Sequence, residues 1–266
     1  MFEILQYDFI QNALIAGILI SIAAGIIGTL VVVNKITFLT GGIAHSAYGG
    51  IGIAIFLGIP VLFGATVFAV LTAILIAIIT LKNRSRIDAI IGMMWASGMA
   101  IGIIFVDLTS GYNVDLMSYL FGSIIAVSSE DIIYMTLLDI FIIAIVVYFY
   151  KEILSVSYDS EIASLRGINV KFFYTLILIL SALCVVAAIK AVGLILVIAL
   201  LTIPTYLAET FATKLSSMMI ISSILATMFT ISGLVVSYFY DISSGASIIM
   251  VAVVALGVVK LIKYKK

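Results

Sequence analysis

Few side chains in this 266-residue chain can bind a metal, carry a proton or attack a bond inside an apolar run. They are one histidine, His45, one cysteine, Cys184, and two carboxylates, Asp139 and Glu209. A neutral imidazole ligates several first-row divalent ions and changes charge near neutral pH. His45 lies in Thr37–Gly58, TFLTGGIAHSAYGGIGIAIFLG, a stretch dense in glycine. If it is helical, Gly41, His45, Gly49 and Gly52 share one face, because residues three and four apart are neighbours. Gly42, Ser46, Gly49 and Gly50 make an adjoining strip of small residues. Each glycine weakens a helix interior by about 1 kcal/mol relative to alanine. Their number therefore points to close helix approach or to a path lined with bare backbone. Two readings of His45 stand side by side: an ion ligand or gate, and a packing histidine hydrogen-bonded to a neighbouring helix.

Other chemistry is thinly supported. One cysteine excludes an internal disulfide and a cysteine metal cluster, and Cys184 reads as a buried packing thiol. One histidine excludes a multi-histidine cage. No G-x-x-x-x-G-K-[ST] phosphate loop is present, so the chain does not hydrolyse ATP by that route. No serine, histidine and aspartate set with supporting spacing can be assembled. Met93, Met94 and Met99 are soft donors that core packing explains as well. Asp139 fits either a proton or cation path or a pairing with a hydroxyl of the next helix.

The elements that must hold these groups follow from composition. The chain is 65% hydrophobic and 10% charged, with a mean hydropathy of +1.39. Soluble domains carry charge on roughly a quarter of their residues. The expected fold class is all-α, a polytopic transmembrane helical bundle forming a single domain over 1–266. Net charge is zero, which gives nucleic-acid binding no support. Met1–Asp8 is acidic and the first apolar run is long, so no cleavable signal is expected.

Eight to nine spanning helices are expected, about 20 apolar residues each. They centre on Ile10–Val33, Ile36–Gly58, Val61–Leu81, Ala89–Val106, Ile132–Tyr150, Phe172–Ile189, Val192–Phe211, Leu215–Tyr238 and Ser247–Leu261. Leu116–Val127 is too short to cross and reads as a short helix at the outer surface. Pro204 is expected to kink or interrupt its helix, with Glu209 five residues further on. Small residues Gly17, Ser21, Gly25 and Gly28 in the first span, and Gly92, Ala96, Ala100 and Gly102 in the fourth, suit close packing in lipid. Placing Lys82–Arg86 and the Lys260–Lys266 tail in the cytoplasm puts 12 of the 13 basic residues inside and leaves only Lys190 outside. The longest polar interruption, Lys151–Lys171, contains a short helix by its signals. Asp159 can cap it, Glu161 and Ala163 suit its interior, and Gly167 can close it. So short a helix is marginal alone and needs something to dock on.

Five stretches, in order and spread over nearly the whole chain, together resemble one family. They are Phe38-Leu39 with Ala44-His45-Ser46 and Gly49; Asp88 to Gly92; Leu120 to Ser123 with Val127-Ser128; Tyr158-Asp159-x-Glu161-x-Ala163-x-x-x-Gly167; and Val192-Gly193 to Val197 running into Leu201 to Pro204. The chain resembles the membrane permeases of bacterial ABC-type manganese, zinc and iron importers. The resemblance implies a non-catalytic, homodimeric permease in the plasma membrane of a prokaryote, with a path between the two copies for Mn²⁺, Zn²⁺ or Fe²⁺ and no bound cofactor. It implies a cytoplasmic P-loop ATPase dimer, which holds the ATP, and an extracellular metal-binding solute-binding protein. Asp159, Glu161, Ala163 and Gly167 then resemble the coupling helix that meets the ATPase, and His45 corresponds to a histidine on the path. The family's aspartate one turn before that histidine is Gly41 here, and its arginine after the proline is Glu209. Two other functions compete: a permease for a metal chelate such as cobalamin or an iron–siderophore, which usually has a longer chain, and an ion-coupled secondary carrier using Asp139 and Glu209.

The charge bias generates a topological expectation. Single cysteines at Ser85 and Ser160, in a Cys184→Ala background, should resist membrane-impermeant thiol reagents in intact cells. Ready labelling of both would invert the orientation.

Overall fold

The computed structural model describes residues 8–82, 87–109 and 122–264, and among them every regular element is helical. Lipid offers no partners for backbone N–H and C=O groups, so a chain this apolar satisfies them within helices. The helices are α1 (Asp8–Val33), α2 (Thr37–Leu57), α3 (Val61–Lys82), α4 (Ile87–Asp107), α5 (Ser129–Tyr148), α6 (Tyr150–Tyr158), α7 (Ser160–Leu165), α8 (Val170–Val192), α9 (Leu194–Glu209), α10 (Leu215–Tyr240) and α11 (Ser244–Tyr264). A 3₁₀ turn at Ile124–Ala126 precedes α5. Eight of these helices are long and apolar enough to cross a membrane. The chain is a multi-pass helical membrane protein.

The expected span Val192–Phe211 is the exception in length. Its helix, α9, has 16 residues, about 24 Å at 1.5 Å per residue. Polar contacts nonetheless place its ends at opposite ends of the bundle. At one end the Asn12 amide donates to the Val127 carbonyl at 3.4 Å, and Lys190 pairs with Asp131. At the other end Asn34 donates to Ser157 at 2.9 Å, and the Ser216 N–H donates to the Tyr150 hydroxyl at 3.1 Å. The chain leaves the first end at Lys190 and reaches the second by Ser216, so α9 traverses the bundle as the longer helices do.

Pro204 does not interrupt α9, which continues to Glu209. The helix packs there against α1 and α10. Thr205 donates to the Leu201 carbonyl at 2.9 Å and shares a hydrogen bond with Ser222 of α10 at 2.8 Å. Tight packing on both sides holds the helical path through the proline. The break falls earlier, at Gly193, whose φ of +79° turns the chain from α8 into α9. Gly122, also at positive φ, brings its backbone against Val192 and Gly193. Only a residue without Cβ fits either place.

Of the expected outer helix Leu116–Val127, the described part is the 3₁₀ turn. Residues 116–121 lie outside the described residues, as do 83–86 of the basic loop and Leu120-Phe121 of the third resembling stretch.

Two small-residue stripes were expected, and the structure keeps one of them. On α1, Gly17 meets Thr230, Gly25 meets Ser223, and Gly28 meets Leu201 and Thr205. Ser21 also shares a hydrogen bond with Thr230 at 3.0 Å. On α4 the stripe is different. Gly92, Ala96 and Ala100 are exposed, while Ile91, Gly98 and Gly102 are buried. The contacts select the face 91–95–98–102, one helical step from the expected one, because α2 presents its own glycines there. A methyl group at Gly49 would stand 2.9 Å from the Gly98 carbonyl oxygen, and one at Gly52 would run into Gly102.

Gly52→Val should therefore lower thermal stability by about 1–3 kcal/mol, the usual cost of overpacking, with reduced membrane abundance. Gly92→Val, where a Cβ meets nothing within 4 Å, should leave both unchanged. Equal effects of the two would remove the close α2–α4 approach.

Candidate functional site

The α2–α4 contact fixes His45. All of Thr37–Leu57 from Leu39 to Gly52 is buried, and α2 lies between α3 and α4. Next to His45, the Ser46 hydroxyl donates to the Met94 carbonyl of α4 at 3.0 Å and to its own Gly42 carbonyl at 2.8 Å. These bonds set the register of α4, and Trp95 follows Met94 onto the imidazole. The two rings stack with centroids 3.7 Å apart and planes 12° from parallel. The indole N–H donates to the Met99 sulfur, one turn along, at 3.1 Å.

The histidine is 8% exposed, and its Nδ1 is buried with no hydrogen-bond partner. The packing reading of His45 required a bond from a neighbouring helix to this ring. A buried polar atom left unpaired costs about 1–3 kcal/mol. Folded proteins keep such an atom chiefly where strain is stored or where the atom meets an ion, a water or a reacting group. Gly41, one turn earlier, faces Ile198 of α9, and no group of three or more histidine, cysteine or carboxylate side chains is gathered among the described residues.

Trp95 is the neighbour of His45 that sequence reasoning missed. Its signal was faint: it is the chain's one tryptophan and sits between Met94 and the small residues of α4. Of the methionines, Met93 is exposed, whereas Met94 and Met99 are half-buried. Met99 serves as the acceptor for the indole.

Asp139 stands apart from this pair. It lies on the buried stripe Asp131, Met135, Asp139, Ile142 and Val146 of α5, which packs on α1 and α8. It is 3% exposed, and neither carboxylate oxygen has a partner. The hydroxyl pairing considered for it is not formed. Glu209 is exposed at the last residue of α9, so the structure does not join it to Asp139 in one buried polar path. Cys184 is buried in α8, as a packing thiol would be.

A second polar centre went unread in the sequence. Asp131 accepts from the Ser128 N–H at 2.8 Å and the Ser128 hydroxyl at 2.6 Å. It also pairs with Lys190, and the Ser123 N–H donates to the Lys190 carbonyl at 3.3 Å. The capping box Ser128-x-x-Asp131 was the available signal. It ties the connection before α5 to the end of α8.

At the opposite end, α7 forms as its signals predict. The Asp159 carboxylate accepts from the N–H groups of Glu161 and Ile162, each at 3.0 Å. Gly167, at φ +80°, ends the helix, and the Ile168 N–H returns to the Ala163 carbonyl at 3.1 Å. Ala163 is fully buried, so it anchors the helix and presents no surface for docking. The exposed residues include Glu161, Ile162 and Leu165, the last 88% exposed.

Known proteins share this architecture. The manganese transport system membrane protein MntC of Listeria monocytogenes is 32% identical over 94% of this chain and 89% of its own length. An uncharacterized membrane protein of Synechocystis is 44% identical over 96% of this chain and 91% of its own. The solved structure of PsaBC from Streptococcus pneumoniae in complex with Fab superposes with a TM-score of 0.86. It is 30% identical and covers 95% of this chain and 91% of that one. An inward-facing metal-chelate type ABC transporter shares the fold alone, with a TM-score of 0.72 at 16% identity. The ABC 3 transport family matches residues 6–263; the chain belongs to that family.

Proposed function

We propose that this chain is the permease subunit of an ABC importer for divalent transition metal ions, Mn²⁺ or Zn²⁺, and that the whole of 1–266 is one transmembrane domain. It performs no covalent chemistry. Two copies enclose the path, a cytoplasmic ATPase supplies the energy, and an extracellular binding protein delivers the ion. The observation that carries this reading is the unpaired Nδ1 of a buried imidazole between glycine-packed helices, in a chain related to manganese transport proteins. Two-fold symmetry would give the path two imidazoles. A closed zinc site normally uses four ligands. Two imidazoles with water or backbone oxygen hold an ion loosely enough to release it.

The orientation proposed is the one that places 12 of 13 basic residues inside. The end bearing Tyr150, Ser157 and α7 is then cytoplasmic, along with the C-terminus, in the plasma membrane of a prokaryote. The exposed Leu165 and Ile162 give α7 an apolar contact for the ATPase. Asp159 and Gly167 shape the helix that presents it.

Radioactive Mn²⁺ and Zn²⁺ uptake, at matched membrane abundance and with the ATPase and binding protein co-expressed, tests the site. His45→Ala and His45→Gln should both lose most uptake while the complex still hydrolyses ATP. Wild-type uptake by His45→Gln would return the histidine to a packing role. For the docking surface, Leu165→Asp and Glu161→Lys should weaken ATPase copurification, Leu165→Asp by about 2 kcal/mol as expected of a central apolar anchor. Normal copurification and uptake in both would leave α7 a connector.

A further inference from the structure

A metal approaches imidazole in the ring plane, along a nitrogen lone pair, so the plane must be held. Ligating histidines are usually held by a hydrogen bond from the second nitrogen to a carboxylate, carbonyl or water. No hydrogen bond holds the His45 ring at either nitrogen: Nδ1 is buried without a partner, and Nε2 makes no hydrogen bond among the described residues, so the plane is unheld by hydrogen bonds whichever nitrogen takes the ion. What the ring has instead is the Trp95 indole, parallel to within 12° at 3.7 Å. Stacking covers one face of the imidazole and restrains its tilt. The indole is itself fixed by the bond from Nε1 to the Met99 sulfur and by the Ser46–Met94 bond one residue away.

We propose that Trp95 is the positioning residue for His45: it holds the plane of the imidazole by stacking, in place of the usual hydrogen bond. This rests on His45 being a ligand of the transported ion. A stack restrains the tilt of the ring and leaves the choice of protonated nitrogen free. The ion is thus offered an oriented ligand whose basicity no neighbouring carboxylate raises, and binding stays weak enough for release.

Trp95 is the chain's one tryptophan, so the tryptophan emission of the full-length permease, in liposomes that hold no other protein, reports on this pair alone. Zn²⁺ titrated into the wild type should change that emission saturably, Mg²⁺ should not, and His45→Gln should abolish the response. In the assembled transporter Trp95→Leu should raise the KM for Zn²⁺ or Mn²⁺ uptake by about tenfold or more, the cost of losing an orienting neighbour of a metal ligand. Trp95→Phe, which keeps a flat ring, should restore KM towards the wild-type value. The proposal is overturned if Trp95→Leu keeps a wild-type KM, or if Zn²⁺ leaves the wild-type emission unchanged. The emission result decides even if Trp95→Leu fails to accumulate. Loss of uptake in His45→Gln alongside either result would overturn the positioning role and spare the ligand reading. Normal uptake in His45→Gln would overturn both.

Discussion

The structure depends on backbone meeting backbone between α2 and α4. Apolar surface gives transmembrane helices little reason to associate, since lipid is as apolar as a leucine side chain. Close van der Waals contact and interhelical hydrogen bonds do the work, and both need small residues. Gly49 against Gly98, and Gly52 against Gly102, bring the two backbones together. That proximity lets the Ser46 hydroxyl reach the Met94 carbonyl and sets the indole on the imidazole. A larger residue at any of these glycines would separate the rings before it touched either.

The two ends of the molecule are built on different chemistry. Where Asp131 meets Lys190, charged groups pair and a capping box surrounds them. Desolvation offsets much of the attraction in a partly buried pair of this kind. Where α7 lies, the contacts are short-range caps on an exposed six-residue helix. The first end is cross-linked between distant parts of the chain; the second presents a local element outward.

Much of this was legible in the sequence. The long apolar runs gave the helices to within a few residues, because lipid permits few alternatives to a helix. Asp159 and Gly167 marked the ends of α7 because capping is local chemistry. The prominence of His45 also followed from its being alone among glycines. What the sequence hid was rotational: which face of α4 meets α2. The expected stripe of Gly92, Ala96, Ala100 and Gly102 shares only Gly102 with the buried face, and only the partner helix brings in Gly98. Trp95 was hidden for the same reason, since its stacking on His45 exists only once its face is chosen. The interruption offered for Pro204 does not occur, because the cost of a proline in an isolated helix ignores packing on both sides. The Asp131–Lys190 pair joins residues 59 apart in sequence, beyond the reach of any local pattern.

The shortness of α9 decides how the chain completes this crossing. At about 24 Å it falls short of the roughly 30 Å hydrocarbon core of a bilayer. Lipid cannot thin around it to compensate, because it is flanked by α1, α8 and α10. The shortfall is met by the chain after Glu209, where Thr210, Phe211, Thr213 and Lys214 are exposed. The N–H groups of Thr210, Phe211 and Ala212 still return to the carbonyls of Leu207 and Ala208, so the chain lengthens the crossing past Glu209 without leaving those donors unpaired.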